Sequence, residues 1–267
     1  MSLNYGVIVP HPPIMVPSVG GREGIGPIEK TVNSMLKISR KIAEIKPDLI
    51  ITISPHGLIM PDSISVRVPH SGVVSGSLAE FGDENVGLEK KIDRKFIENL
   101  INHCAGSGIK LVGTDDEYLD HGVIAPMSYI DAAMSNDYKI VTLNITLGGL
   151  EHHYNFGKIL RGVCEADDRK IVFVASGDLS HCLTKKAPVE YNAEGPKFDK
   201  KLVEYLQKGE TARIIYMDPF WLDEVAECGL RSIVTMMGAM DKKSADCNIL
   251  SYEGPYGVGY LVAEYEM

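Results

Sequence analysis

The sequence predicts an α/β fold: a mostly parallel, mixed central sheet with helices on both faces and a β-hairpin at the C-terminal end. Three observations predict it. Four short, continuous, β-branched apolar runs read as strands buried on both faces. Amphipathic helical patterns lie between them. From Cys247 onward the chain changes character, with two strand-like runs flanking a Gly-Pro turn.

In chain order, the first strand is expected at Tyr5–Val9. The stripe Ile28, Val32, Met35, Leu36, Ile42 then predicts a helix leading into a second strand, Leu49–Ile53. Leu88, Ile92, Phe96 and Leu100 fall on a second helical stripe. Asp115–Gly122 reads as a loop. Ile140–Ile145 and Ile171–Ala175 are the third and fourth strands, separated by a weaker helical pattern through Tyr154, Ile159 and Val163. Leu183–Pro196 reads as a loop, and an apolar helix is expected to run to about Met240. Cys247–Tyr252 and Gly257–Glu264 flank Glu253-Gly254-Pro255-Tyr256 and predict the hairpin. Alternating strands and helices argue for a largely parallel sheet with helices on both faces. Residues 1–267 are taken as one domain, with no repeat or low-complexity tract.

Composition narrows the function. The 267 residues are 45% hydrophobic, enough for a sizeable core, and the net charge is -9. That balance, without a dense Lys/Arg run, argues against a nucleic-acid partner. No run of about 18 apolar residues is present, so no membrane helix is expected. The five scattered cysteines form no CxxC pair, and no secretory leader pattern opens the chain. A reduced cytoplasmic protein is the expectation, and a homo-oligomer is expected.

The chemistry is carried by histidines. Ligands of open parallel sheets bind beyond the carboxyl ends of the strands. His11 follows Val7-Ile8-Val9-Pro10, and His56 follows Ile51-Thr52-Ile53-Ser54-Pro55. His181 ends Ser176-Gly177-Asp178-Leu179-Ser180-His181, just past the fourth strand. If the strands are parallel, all three reach one rim. The repeated strand–Pro–His context provides the rigid turns a metal ligand needs, although such prolines also stiffen turns that bind nothing. His121, in Leu119-Asp120-His121-Gly122, is a fourth candidate, its tautomer fixed by Asp120 or the turn backbone; it could equally cap a helix beginning near Val123. His70, His103, His152 and His153 read as structural or surface residues.

Two imidazoles and a carboxylate with open positions describe a non-haem iron(II) oxygenase site, and zinc hydrolases share such ligands. The third ligand is open between Glu227, Cys228 and Glu253, with Asp178 beside His181. Glu227 is the first choice. It precedes Cys228-Gly229-Leu230-Arg231-Ser232 at a helix start, where amides and dipole would keep it ionised. The same place suits a plain capping acid.

Val9-Pro10-His11-Pro12-Pro13, Ser54-Pro55-His56-Gly57, Asp120-His121-Gly122, Ser176 through His181, and Glu227 through Ser232 occur in this order along the chain. Together they resemble the catalytic subunits of class III extradiol ring-cleavage dioxygenases of the protocatechuate type, and especially the AmmeMemoRadiSam, Memo-like branch. The resemblance implies iron(II) held by His11, His56 and Glu227, with zinc or copper as alternative cations. It implies His181 as the acid/base residue, with Asp178 beside it and His121 in the pocket. It implies a small aromatic substrate and O2. Memo-like relatives lack ring cleavage and carry a cysteine at a place similar to Cys228. The alternative is therefore a metal-binding redox protein acting with an AMMECR1-like or radical-SAM partner.

Overall fold

The computed structural model describes residues 3–241 and 246–266. An eight-stranded sheet runs through it. Its strands are β1 (Leu3–Val9), β2 (Leu49–Ser54), β3 (Ile64–Arg67), β6 (Leu111–Thr114), β7 (Lys139–Asn144), β8 (Ile171–Ser176), β9 (Asp246–Glu253) and β10 (Tyr260–Glu266), in the order β6-β3-β7-β2-β8-β1-β10-β9. The central run β7-β2-β8-β1 is wholly parallel. β3 joins β7 antiparallel and β6 joins β3 parallel. The C-terminal hairpin β9–β10 is antiparallel and adds to β1 at the other edge, as the sequence predicts.

The four predicted core strands appear where they are expected, because their residues are buried on both faces. Successive side chains of β1 show the two faces. Tyr5 points to the side of α2 (Glu29–Ile45), where its hydroxyl donates to Glu264, which Lys41 of α2 also contacts. At Gly6 an added Cβ would sit 3.1 Å from the Met236 sulfur of α9 (Leu230–Ala239) on the opposite side. On that second face, α5 (Leu150–Glu165) crosses α9 with almost no space between backbones. A Cβ on Gly157 would fall 2.0 Å from the Thr235 carbonyl oxygen, and one on Gly238 would fall 2.1 Å from that of Tyr154.

One predicted helix is shorter than its stripe. Leu88 belongs to a strand, β5 (Asp83–Lys91), paired antiparallel with β4 (Val73–Leu78) in a separate two-stranded sheet. Ile92 bridges to Ile140. The helix α3 (Arg94–Cys104) begins only at Arg94, where the Asp93 carboxylate accepts the Phe96 amide. The ladder to β4 and this cap override the helical periodicity, which they divide between two elements. The expected loops are also trimmed by helices: α4 starts at His121 (His121–Ala133) and α6 at Glu194 (Glu194–Lys208). Two short helices, α7 (Thr211–Ile215) and α8 (Pro219–Val225), precede α9; α1 (Pro17–Ile25) follows the first histidine turn. Among the described residues no helix is long and apolar enough to cross a membrane.

Candidate functional site

Strand order explains why distant segments meet. β2, β8 and β1 are neighbours and parallel, so the turns after Ser54, Ser176 and Val9 leave the same edge of the sheet side by side. His11 and His56 are carried there from positions 45 residues apart, and their Nε2 atoms lie 3.0 Å from each other. His121, at the start of α4, brings its ring centroid to 4.3 Å from that of His56 and 5.5 Å from that of His11.

The tautomer of His11 follows from its neighbours. Ser176 Oγ donates to the Gly122 carbonyl, so it accepts from His11 Nδ1 at 2.9 Å. The proton is thus on Nδ1, and Nε2 presents a lone pair to the site. The His11 backbone amide donates to Asp178 Oδ1 at 3.0 Å, which ties the first histidine turn to the loop after β8.

That loop lies against the turn before α9. A Cβ on Gly177 would overlap the Gly229 Cα at 2.1 Å, so the two backbones touch directly. Ser180 and Glu227 form a backbone bridge, and the Asp178 carbonyl accepts the Gly229 amide at 2.8 Å. This contact delivers Cys228. Its Sγ lies 3.7 Å from His11 Nε2 and accepts the Asp178 amide at 3.3 Å. His11, His56 and Cys228 each offer one ligand atom, and these atoms all lie within 4.8 Å of one another. Ligands at about 2.1 Å for nitrogen and about 2.3 Å for sulfur can share one cation at such separations.

The predicted residues fall into two groups. His11, His56, His121 and Asp178 are gathered at this rim. His181 sits beside them: its Nδ1 donates to the Ala226 carbonyl at 2.9 Å, which puts the proton of the neutral ring on Nδ1. Its charge would act on His11, and that of His56 on it. The remaining candidate carboxylates are engaged elsewhere. Glu227 Oε2 accepts the Leu230 amide at 2.6 Å and Oε1 lies 3.7 Å from Arg231, so this side chain starts α9 as a capping acid does. Glu253 accepts the amide and hydroxyl of Thr31, both at 2.8 Å, at the start of α2.

Burial sets the protonation of the cluster. It lowers the pKa of His11 far below its ordinary value, and neighbouring His56, His121 and His181 add to the effect. Burial also lowers His56, His121 and His181. All four rings are neutral near pH 7, the form that binds metals and accepts protons. Burial raises Asp178 to about 7, opposed by the His11 amide. For Glu227 the helix start does not win: burial outweighs the Leu230 amide and Arg231, and the pKa rises rather than falls. The Cys228 thiol is likewise pushed up by burial and by Asp178; a dication among these donors would reverse that balance.

Some residues of the site carry no obvious sequence signal. Phe81, at the tip of the β4–β5 hairpin, places its ring 5.1 Å from His121 and is 39% exposed. Ser176 and Asn144 end two strands and read as ordinary strand termini. Arg67 could have been found: it is a charge at the end of an apolar strand, Ile64–Arg67.

Comparison with known proteins gives the family. Residues 5–263 match the family model described as the catalytic LigB subunit of aromatic ring-opening dioxygenase. Protein CA_C1420 of Clostridium acetobutylicum is 36% identical over 277 residues, covering 100% of this chain. The chain spans 58% of that relative's length. The 2-aminophenol 1,6-dioxygenase beta subunit of a Pseudomonas species is 22% identical, covering 98% of this chain and 93% of that protein. The crystal structure of the uncharacterized protein JW3007 from Escherichia coli K12 superimposes with a TM-score of 0.64 at 14% identity, covering 98% and 99% of the two chains, which shows a shared fold. With the match running from β1 to β10, the chain belongs to the LigB family, the catalytic subunits of aromatic ring-opening dioxygenases.

Proposed function

We propose that this chain is a metal-dependent dioxygenase of the extradiol type, opening the ring of a small aromatic substrate that carries adjacent hydroxyl or amino groups. The observation that carries the reading is the convergence of His11 Nε2, His56 Nε2 and Cys228 Sγ at the carboxyl edge of β1, β2 and β8. These three residues would hold the cation, iron(II) in the first instance. The family match and the ring-opening relative support the reaction class. A divalent cation in this place lowers the pKa of a substrate hydroxyl and brings the two reactants together.

The chain's own residues supply the rest. His181 accepts a phenolic proton at Nε2, while its Nδ1–H stays on the Ala226 carbonyl and orients the ring. The same nitrogen returns the proton to product. His121 and Phe81 form an aromatic wall against which a substrate ring can pack edge-on or offset. Asp178 holds the His11 turn through its amide. The test is anaerobic loading with iron(II), then O2 uptake over a panel of catechols and 2-aminophenols. Stoichiometric iron with no uptake on any member would overturn the reading.

A second reading is favoured by Cys228 itself. A thiol among the donors, with Glu227 engaged at α9, is a softer set than two imidazoles and a carboxylate, and suits copper or zinc. In that case the chain is a metal-binding redox protein of the Memo-like kind, working with an AMMECR1-like or radical-SAM partner. Copper or zinc bound more tightly than iron, together with inert catechols, would support it.

A further inference from the structure

We propose that Arg67 is a positioning residue of the metal centre: through Asp120 it fixes the turn that presents His56, and so sets the affinity of the site for its cation. The proposal rests on the metal reading above.

Arg67 ends β3, a strand that carries no ligand, and is only 1% exposed. Its guanidinium is met on every side. Nη1 donates to Asn144 Oδ1 at 2.9 Å and Nε to the Tyr118 carbonyl at 2.8 Å, with Asp116 Oδ2 at 3.3 Å. Nη2 faces Asp120 Oδ2 at 3.4 Å. Burying a guanidinium is expensive, and a packed apolar side chain serves stability as well or better. The arrangement of its partners says what the charge accomplishes.

Asp120 stands at the N-cap of α4, yet its carboxylate makes no capping bond to that helix. It accepts the Ser54 hydroxyl at 2.9 Å instead, and that hydroxyl accepts the His56 amide at 3.1 Å. A continuous chain thus runs from the Arg67 cation through the Asp120 carboxylate and the Ser54 hydroxyl to the backbone of His56. Asn144, the second partner of Arg67, donates to the carbonyls of Ser54 and His56. The residue after His56 is pressed onto the same group. Gly57 has φ 84°, and a Cβ there would lie 2.5 Å from Arg67 Nη2, 3.0 Å from Asp120 Oδ2 and 3.1 Å from Asn144 Nδ2. The carbonyl of His56 is therefore held by Asn144, a direct partner of Arg67, and its amide by Ser54, which is one step further along through Asp120. The next residue after Asp120 is His121, whose ring faces His56, so one carboxylate sits at the junction of two site histidines. Groups that orient ligands in this way typically change metal affinity about 10- to 100-fold when lost.

The test is a titration of the metal-free full chain with cobalt(II), read by its visible and thiolate charge-transfer absorption. Wild type, Arg67→Met, Ser54→Ala and His56→Ala are compared. Lys110→Met, which removes an exposed ion pair with Asp62, is the control. Expected are one cobalt per chain and a Kd weakened about 10- to 100-fold in Arg67→Met and Ser54→Ala, with an altered band pattern. The Lys110→Met protein should match wild type, and His56→Ala should lose the site. Arg67→Lys should not restore affinity, because one ammonium cannot meet four separated acceptors. Should Arg67→Met fail to fold, Ser54→Ala and Asp120→Asn carry the same test, since each breaks one link of the chain. Wild-type affinity and spectrum in these variants, with His56→Ala silent, overturns the proposal and leaves the metal reading intact. Wild-type binding by His56→Ala overturns the metal reading itself.

Discussion

Cys228 places its sulfur 3.7 Å from the Nε2 of His11, although 217 residues separate them and the acid beside it, Glu227, is committed to the first turn of α9. Cys228→Ser should therefore weaken metal binding by at least about tenfold, while Glu227→Gln should retain it. Metal content after dialysis against a weak chelator decides between them. The opposite ranking would return Glu227 to the ligand set.

His181 is held by the Ala226 carbonyl and lies outside the trio of converging donor atoms, so its loss should affect proton transfer and not metal retention. His181→Ala is expected to lower turnover of an accepted substrate by about 10²- to 10⁴-fold. Metal stoichiometry should stay at the wild-type value. A variant that loses its metal along with its activity would make His181 a ligand and not a base.

Phe81 lies against His121 at the tip of a two-stranded hairpin. Phe81→Ala should raise KM for an aromatic substrate about 3- to 10-fold, the worth of one ring–ring contact, with kcat little changed. Phe81→Tyr should behave as wild type. An equal fall in kcat would mean the ring acts in the transition state.

Asp199 gives a pH test away from the donors. It is buried on α6, accepts the Ser180 amide at 3.0 Å and the Tyr252 hydroxyl at 2.6 Å, and burial raises its pKa to about 7. Between about pH 4 and pH 7 the folded protein holds this proton while the unfolded chain has released it. Raising the pH through that window therefore favours unfolding, by up to about 1.4 kcal/mol per pH unit. Asp199→Asn removes this component, so the variant should gain stability relative to wild type as pH rises from 4 to 7. Chemical denaturation at several pH values measures it, and parallel pH curves for the two proteins would contradict the assignment.

Gly157 and Gly238 let α5 and α9 cross with their backbones in contact. Gly157→Ala forces them apart and should cost about 1–3 kcal/mol or more, as overpacking does, lowering the thermal midpoint by several degrees. An alanine accepted without loss would show that the crossing has slack.

Much of the fold was legible because its main signal is local. The four buried strands announce themselves as unbroken apolar runs, and parallel pairing places whatever follows them on one edge. His11 and His56 could be picked out for that reason alone. Leu88 could not be separated from the helix of Phe96 and Leu100, because its strand is defined by partners in Val73–Leu78. Phe81 stayed hidden for the same cause: what makes it matter is a neighbour distant in sequence, His121.

The sequence by itself determined the sheet, its carboxyl edge and the histidines that line it, since burial on both faces and rigid Pro-His turns are properties of contiguous residues. Only the tertiary structure shows which donor atom lies beside them. Glu227 and Cys228 are adjacent and chemically plausible alike, and the choice depends on a backbone contact between Gly177 and Gly229, which admits no side chain and brings the sulfur, with the carboxylate already bound to the Leu230 amide, beside His11.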